Sequence, residues 1–249
     1  ADNETMIRAY ENGAVELYHN SVKTFETTQY GATCKLADTS APTLFMVIGS
    51  EGQDAEIRLL ADDGDDGPDY WRSRVSASSN TYNVESYAPG TWTTYQTIDT
   101  SGAVTKPKQP SASAYFSGSD SGSSGGKISG AYGLPSTTRW NIGSHFNTST
   151  GRFTCPVAGK YVVTLSGNLN LSNLSVSDAF NITTRKNGTS IQHNYDICHN
   201  AGWQYLAFTN IIDCAANDYL QVYFSSSGNK TFGFDNSSSW NQLTFTLFL

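Results

Sequence analysis

The last nine residues constrain this chain more than any other segment. From Asn241 to Leu249, Leu243, Phe245, Leu247 and Leu249 alternate with Thr244, Thr246 and Phe248. A period of two is the signature of a β-strand whose faces meet different surroundings. Chain ends are usually frayed and polar, yet this one is apolar to its last residue and sets Phe248 opposite Leu247 and Leu249. One face suits the interior of a layered β-domain. The other calls for a contact from a neighbouring subunit, where burying Phe248 contributes about 1.5–3 kcal/mol per chain.

The rest of the second half repeats this pattern. Tyr161, Val163, Leu165, Leu169 and Leu171 fall on one strand face with Gly167 among them. Phe180 to Thr184 runs to a hairpin turn at Asn187-Gly188, and Tyr205–Ile212 and Asp218–Phe224 read as further strands. With 12 Phe, 14 Tyr, 5 Trp and 22 Gly in 249 residues, and no helix-period stretch of useful length, the chain is predicted to be all-β. Six or more strands spaced by turn signals imply a sandwich or jelly roll.

The first half has shorter strands and sparser apolar residues. Asn12-Gly13 between Met6–Tyr10 and Ala14–Tyr18 predicts a hairpin with a type I′ turn, which needs positive φ at both central residues. Thr24-Phe25-Glu26-Thr27 before Tyr30-Gly31-Ala32-Thr33, and Thr97-Ile98-Asp99-Thr100 before Ser101-Gly102-Ala103-Val104, read as a degenerate repeat. Such units bury little alone, so an elongated β-shaft of three wrapped chains is expected, with a small independent sandwich as the alternative. Lys106-Pro107-Lys108-Gln109-Pro110-Ser111 marks the boundary, since two prolines favour an extended spacer. The organisation expected is therefore a β-rich shaft over 1–105, a linker over 106–111 and a head over 112–249. The Gly/Ser run Ser117–Gly126 reads as an exposed loop within the head.

Charge and chemistry-bearing residues narrow the function. A net charge of −7 supplies no basic field for nucleic acid. No stretch approaches the ~20 apolar residues of a membrane helix, none reads as a secretion signal, and a start at Ala1 reads as a fragment or processed form. Cys34, Cys155, Cys198 and Cys214 lack zinc-ligand spacing and are expected as buried thiols. The acidic run Asp62–Asp69 fails as an EF-hand loop because Gly64 and Ser73 stand at the third and twelfth places; it reads as a solvated turn, with a different cation site as the minor alternative. After residue 112 the only acids are Asp120, Asp178, Asp196, Asp213, Asp218 and Asp235. No nucleophile elbow, zinc-protease motif or phosphate loop appears, so the chain is expected not to be an enzyme. No cofactor and no metal are expected.

Residues 112–249 resemble the globular head of complement C1q, within the tumour-necrosis-factor-like jelly-roll class. The likeness rests on Asn141, Phe146, Phe153, Gly159 and Tyr161 at the family spacing, although Pro135, Val163 and Leu165 replace preferred aromatics. It implies a ten-strand jelly roll assembled as a homotrimer. Phe153, Tyr161, Phe245, Leu247, Phe248 and Leu249 are then the core and trimer-packing residues, and Gly159 suits a turn at positive φ. In place of a collagen stem, the phrases Glu11–Asn20 and Asp54–Gly64 resemble shaft repeats of tail-fibre proteins from phages of marine bacteria.

Together these imply a virion protein, extracellular when mature: the tip of a trimeric tail fibre, joined to other fibre proteins through its N-terminal side. It would bind a host-surface glycan or outer-membrane protein by avidity. Aromatic rings stack on sugar faces, so Trp203, Trp240, Tyr195 and His199 are the candidate ligand contacts, with Asp235 and Asn236 as polar partners; each Trp serves equally well as a packing residue. A trimeric cap without a ligand is the alternative, and a polysaccharide-degrading enzyme a more remote one.

Overall fold

The computed structural model describes residues 5–34, 45–88, 90–116, 131–132, 134–235 and 238–248. The chain divides into two units, residues 1–93 with 98–103, and residues 94–97 with 104–249. The Ser117–Gly126 loop, Asn236 and Leu249 lie outside the described residues.

In the first unit, β1 (Ile7–Ala9), β2 (Val15–His19), β3 (Val22–Thr28) and β4 (Gly31–Cys34) form an antiparallel meander. The hairpin at Asn12-Gly13 exists, but its turn is not type I′. Asn12 alone takes positive φ (57°), and the loop closes through Tyr10 N to Ala14 O at 3.1 Å and Gly13 N to Tyr10 O at 3.1 Å. A second antiparallel run comprises β5 (Ala55–Leu60), β6 (Tyr70–Val75) and β7 (Tyr82–Ser86). It is laced by charge. Glu85, 2% exposed, takes Arg72 Nε at 2.6 Å and Arg74 Nε and Nη2 both at 2.9 Å. β8 (Thr93–Ile98) and β9 (Val104–Thr105) follow.

The second unit is a two-sheet sandwich. Its strands are β10 (Ser111–Tyr115), β11 (Ala131–Tyr132), β12 (Thr137–Ile142), β13 (Phe146–Asn147), β14 (Arg152–Thr154), β15 (Gly159–Asn170), β16 (Ala179–Lys186), β17 (Thr189–Ile197), β18 (Trp203–Cys214), β19 (Tyr219–Ser226), β20 (Gly233–Phe234) and β21 (Asn241–Leu247). One sheet runs β12-β10-β21-β15-β18, with β20 also on β15; the other runs β13-β14-β19-β16-β17, with β11 on β19.

The predicted inward row of β15 is buried throughout: Tyr161, Val163, Leu165 and Leu169 alternate with half-covered neighbours, and Leu171 just beyond is also buried. Phe153 stacks on Phe245 at 5.2 Å between ring centroids and meets Tyr161 at 5.8 Å, which explains why the motif needs rings at these places. Asn141 earns its place differently: its amide donates to Phe146 O at 2.8 Å and its oxygen accepts from Phe146 N at 3.0 Å, pinning the turn into β13. Gly159 departs from expectation. It does not adopt the left-handed conformation but opens β15 opposite Cys214. Leu247 is partly buried against the core, whereas Phe248 is 55% exposed on the protomer.

Gly167 is the glycine that packing requires. A Cβ there would lie 2.6 Å from the Phe234 ring and 3.1 Å from Asn241 Cβ. Gly167→Ala should therefore cost about 1–3 kcal/mol through overpacking, read as a fall in urea midpoint; an unchanged midpoint would show that β20 is not held against β15.

Candidate interaction surface

The outward face of the β12-β10-β21-β15-β18 sheet is built from the residues that alternate with the core. Cross-strand register places Trp140, Ser113, Thr244, Thr164 and Thr209 in one row, and Ile142, Ser111, Thr246, Val162 and Ile211 in the next. Most of these side chains are short hydroxyls, and they bond within the face. Gln242 Nε2 donates to Ser113 Oγ and Thr244 Oγ1, both at 3.0 Å, and Thr244 Oγ1 donates to Ser113 Oγ at 3.3 Å. Toward β18 the face turns apolar: Trp203, Tyr205 and Ile211 are exposed, Ile211 by 61%.

The candidate ligand contacts are partly brought together. Trp203 pairs across from Asn170 at the end of β15, and Tyr205 from Asn168. On the other flank of the same strand end, Asp235 N donates to Asn168 O at 2.8 Å and Asn168 N donates to Trp240 O at 2.9 Å. Trp203, Trp240 and Asp235 thus border one strand end, two ladder spacings or about 10 Å across. Trp240 is exposed. His199 is exposed and joins the Trp203 side through Gln204, whose Oε1 accepts from His199 N at 3.2 Å and whose Nε2 donates to Asp196 Oδ2 at 2.8 Å. Tyr195 stands apart on β17, in the other sheet, opposite Asn181.

Tyr205 and Ile211 were not among the expected contacts. Their signal was present in the chain, since the odd positions from Trp203 to Ile211 alternate with inward Leu206, Phe208 and Ile212. Of the cysteines, Cys155, Cys198 and Cys214 are buried as expected, but Cys34 is exposed at the end of the short strand β4. Asp65, Asp66 and Asp69 bring carboxylate oxygens within 4.8 Å of one another on the acidic turn, with Asp65 and Asp66 exposed.

Residues 134–249 match the C1q domain family. No curated protein matches the chain. Among solved structures, the globular domain of zebrafish complement 1qA protein is 11% identical, with 57% of this chain and 98% of that one covered at a TM-score of 0.42. The Eiger TNF structure from S. frugiperda is 10% identical, with 57% and 94% covered at a TM-score of 0.44. The C1q match falls within the second unit, on its two-sheet sandwich.

At one end of this C1q-like domain, Asp218 accepts from Asn187 Nδ2 at 2.6 Å and from Ala215 N at 2.8 Å, which holds its carboxyl below the usual range. Lys230, with Ser175 N, lowers Asp178 in the same way. A carboxyl depressed in the folded state stabilises above its unfolded value and loses that contribution as pH falls through the folded one. The domain should therefore lose stability on acidification below about pH 4, and Asp218→Asn should flatten that loss. Urea midpoints at pH 6 and pH 3 test this; an equal fall in both proteins would discharge Asp218 from the role.

Proposed function

We propose that this chain is the distal, host-binding part of a homotrimeric virion fibre. Residues 112–249 form the trimeric head, and the strands of residues 1–105 form the shaft that joins it to other fibre proteins. The observation that carries the trimer is the outward face of the C1q-like sheet, whose apolar margin at Tyr205 and Ile211 is uncovered on a single protomer. Two further copies supply the cover, since a C1q-like domain is most often a trimeric binding or assembly module. Phe248, exposed one residue beyond β21, adds to the same demand. The fibre setting draws on the shaft-like phrases Glu11–Asn20 and Asp54–Gly64.

Adhesion is the activity, without catalysis. Trp203, Trp240 and Asp235 bordering one strand end make a shallow aromatic platform with a polar partner, the kind of surface on which a sugar face stacks. His199 extends it along the β17–β18 turn. Three such weak platforms per head reach useful strength through multivalency. Asn236 completes the proposed contact set, with Tyr195 outside the platform on the other sheet, and the receptor is a surface glycan or outer-membrane protein of the host.

Sedimentation equilibrium at micromolar concentration should return about three times the 27.0 kDa chain mass. Ile211→Arg, exposed on the protomer, should yield a folded species of lower mass; a wild-type monomer sinks the reading. On arrayed bacterial polysaccharides, Trp203→Ala with Trp240→Ala should lower retention at least about tenfold while the trimer persists. Retention unchanged in the double variant removes the platform, and a trimer that retains none of the arrayed glycans leaves assembly as the head's role.

A further inference from the structure

We propose that Cys155 and Cys214 are an oxidation site, closing on reaction with an organic disulfide into an intramolecular bridge that ties together the two sheets of the C1q-like domain. Cys155 follows β14 of one sheet, and Cys214 ends β18 of the other. Both are buried, at 0% and 6% exposure. The two thiols lie near enough to influence each other's ionisation.

The backbone fixes this meeting. Cys155 N donates to Asp218 O, and Cys155 O accepts from Asn217 N, both at 2.7 Å. The turn that carries these partners starts at Ala215, immediately after Cys214, and is itself closed by Ala215 N on Asp218 Oδ2 at 2.8 Å. One turn therefore positions both cysteines, and Tyr161 of the inward row of β15 pairs with Ile212, two residues before Cys214. The other two cysteines have different surroundings: Cys198 donates to Asn200 O at 3.3 Å, and Cys34 is exposed. Bridging also asks little backbone movement of two buried cysteines that one turn already holds side by side.

The exchange balances without a further reagent. The Cys214 thiolate attacks one sulfur of the disulfide, breaking its S–S bond, and the leaving thiolate takes up the proton Cys214 released. Cys155 then attacks the Cys214 sulfur of the mixed disulfide, and the second reagent thiol leaves with the proton of Cys155. Two protein thiols are oxidised and one reagent disulfide is reduced to two thiols. Burial pushes both thiols up, while the hydrogen bond from Cys155 favours ionisation of Cys214. The folded dithiol is accordingly slow to react, and the bridge closes while the end of the sandwich is open or folding.

The test uses the full chain in a Cys34→Ser background, refolded with glutathione disulfide, alkylated with N-ethylmaleimide and digested. The expected results are an intact mass about 2 Da below the reduced protein before alkylation, label on Cys198 alone, and a peptide joining Cys155 to Cys214. Relative to the dithiothreitol-reduced protein, the bridged form should melt about 5–15 °C higher. A Cys155→Ser companion should lose both the bridge and the shift; because the wild-type pair is read in each redox state directly, poor folding of that variant does not decide the matter. Substantial label on Cys155 or Cys214 after oxidation, a bridge to Cys198, or equal melting of the two redox forms overturns the proposal.

Discussion

The ladder on both edges of Gly159–Asn170 is the constraint on which the C1q-like domain depends. This strand has 12 residues, pairs along its whole length with β18 on one edge, and shares the other between β21 and β20. Every buried backbone donor and acceptor in it needs a partner, because an unsatisfied one costs about 1–3 kcal/mol. Its inward row then delivers Tyr161, Val163, Leu165 and Leu169 to the interior at fixed spacing. Asn241 secures the junction of β20 and β21: it is buried, its oxygen accepts from Phe116 N at 2.7 Å, and its amide donates to Asp235 O and Phe116 O. Gly167 faces this junction, so the absence of a side chain there is part of the same fit.

How legible these features were depended on whether a local rule or a tertiary one decided them. Period-two alternation in β15 and β21 is local, and the buried row followed it through Leu169 in β15 and Phe245 in β21. The two Asn-Gly turns separate the cases. At Asn187-Gly188, two residues connect β16 to β17 and both take positive φ, 51° and 80°, as a type I′ turn demands. At Asn12-Gly13 the flanking strands stop earlier, so the loop is longer and only Asn12 enters the left-handed region. The dipeptide announces a reversal; strand ends, set by pairing, choose its type. Gly159 shows the converse, a motif glycine whose surroundings place it in a strand.

Site residues were less readable because exposure is a property of layers, not of residue type. Trp203 and Trp240 were separable from core aromatics only once the two sheets had been placed. Tyr205 and Ile211 share the alternation that buries Leu206 and Phe208, and the pattern alone does not say which half faces inward. In the first unit the limit is electrostatic. Arg72, Arg74 and Glu85 carry charges that strands ordinarily leave in water, yet Glu85 lies almost fully buried between two guanidiniums, with Arg72 also 4.0 Å from the Trp92 ring centroid. Charged side chains substitute there for the apolar layer that short strands lack, and each partner makes the burial of the other tolerable.

The chemistry of the outward C1q-like sheet explains how it can tolerate both water and a close neighbour. A hydroxyl covered without a partner is costly, which would ordinarily make a Ser/Thr-rich face a poor interface. Here Ser113, Thr244 and Gln242 satisfy one another within the face, so a surface laid over them need not supply their hydrogen bonds. Short side chains also let a second backbone approach closely, while apolar surface concentrates at the margin formed by Tyr205 and Ile211. The face is thus soluble when bare, because its middle is polar, and inexpensive to dehydrate when covered, because that polarity is already paired internally.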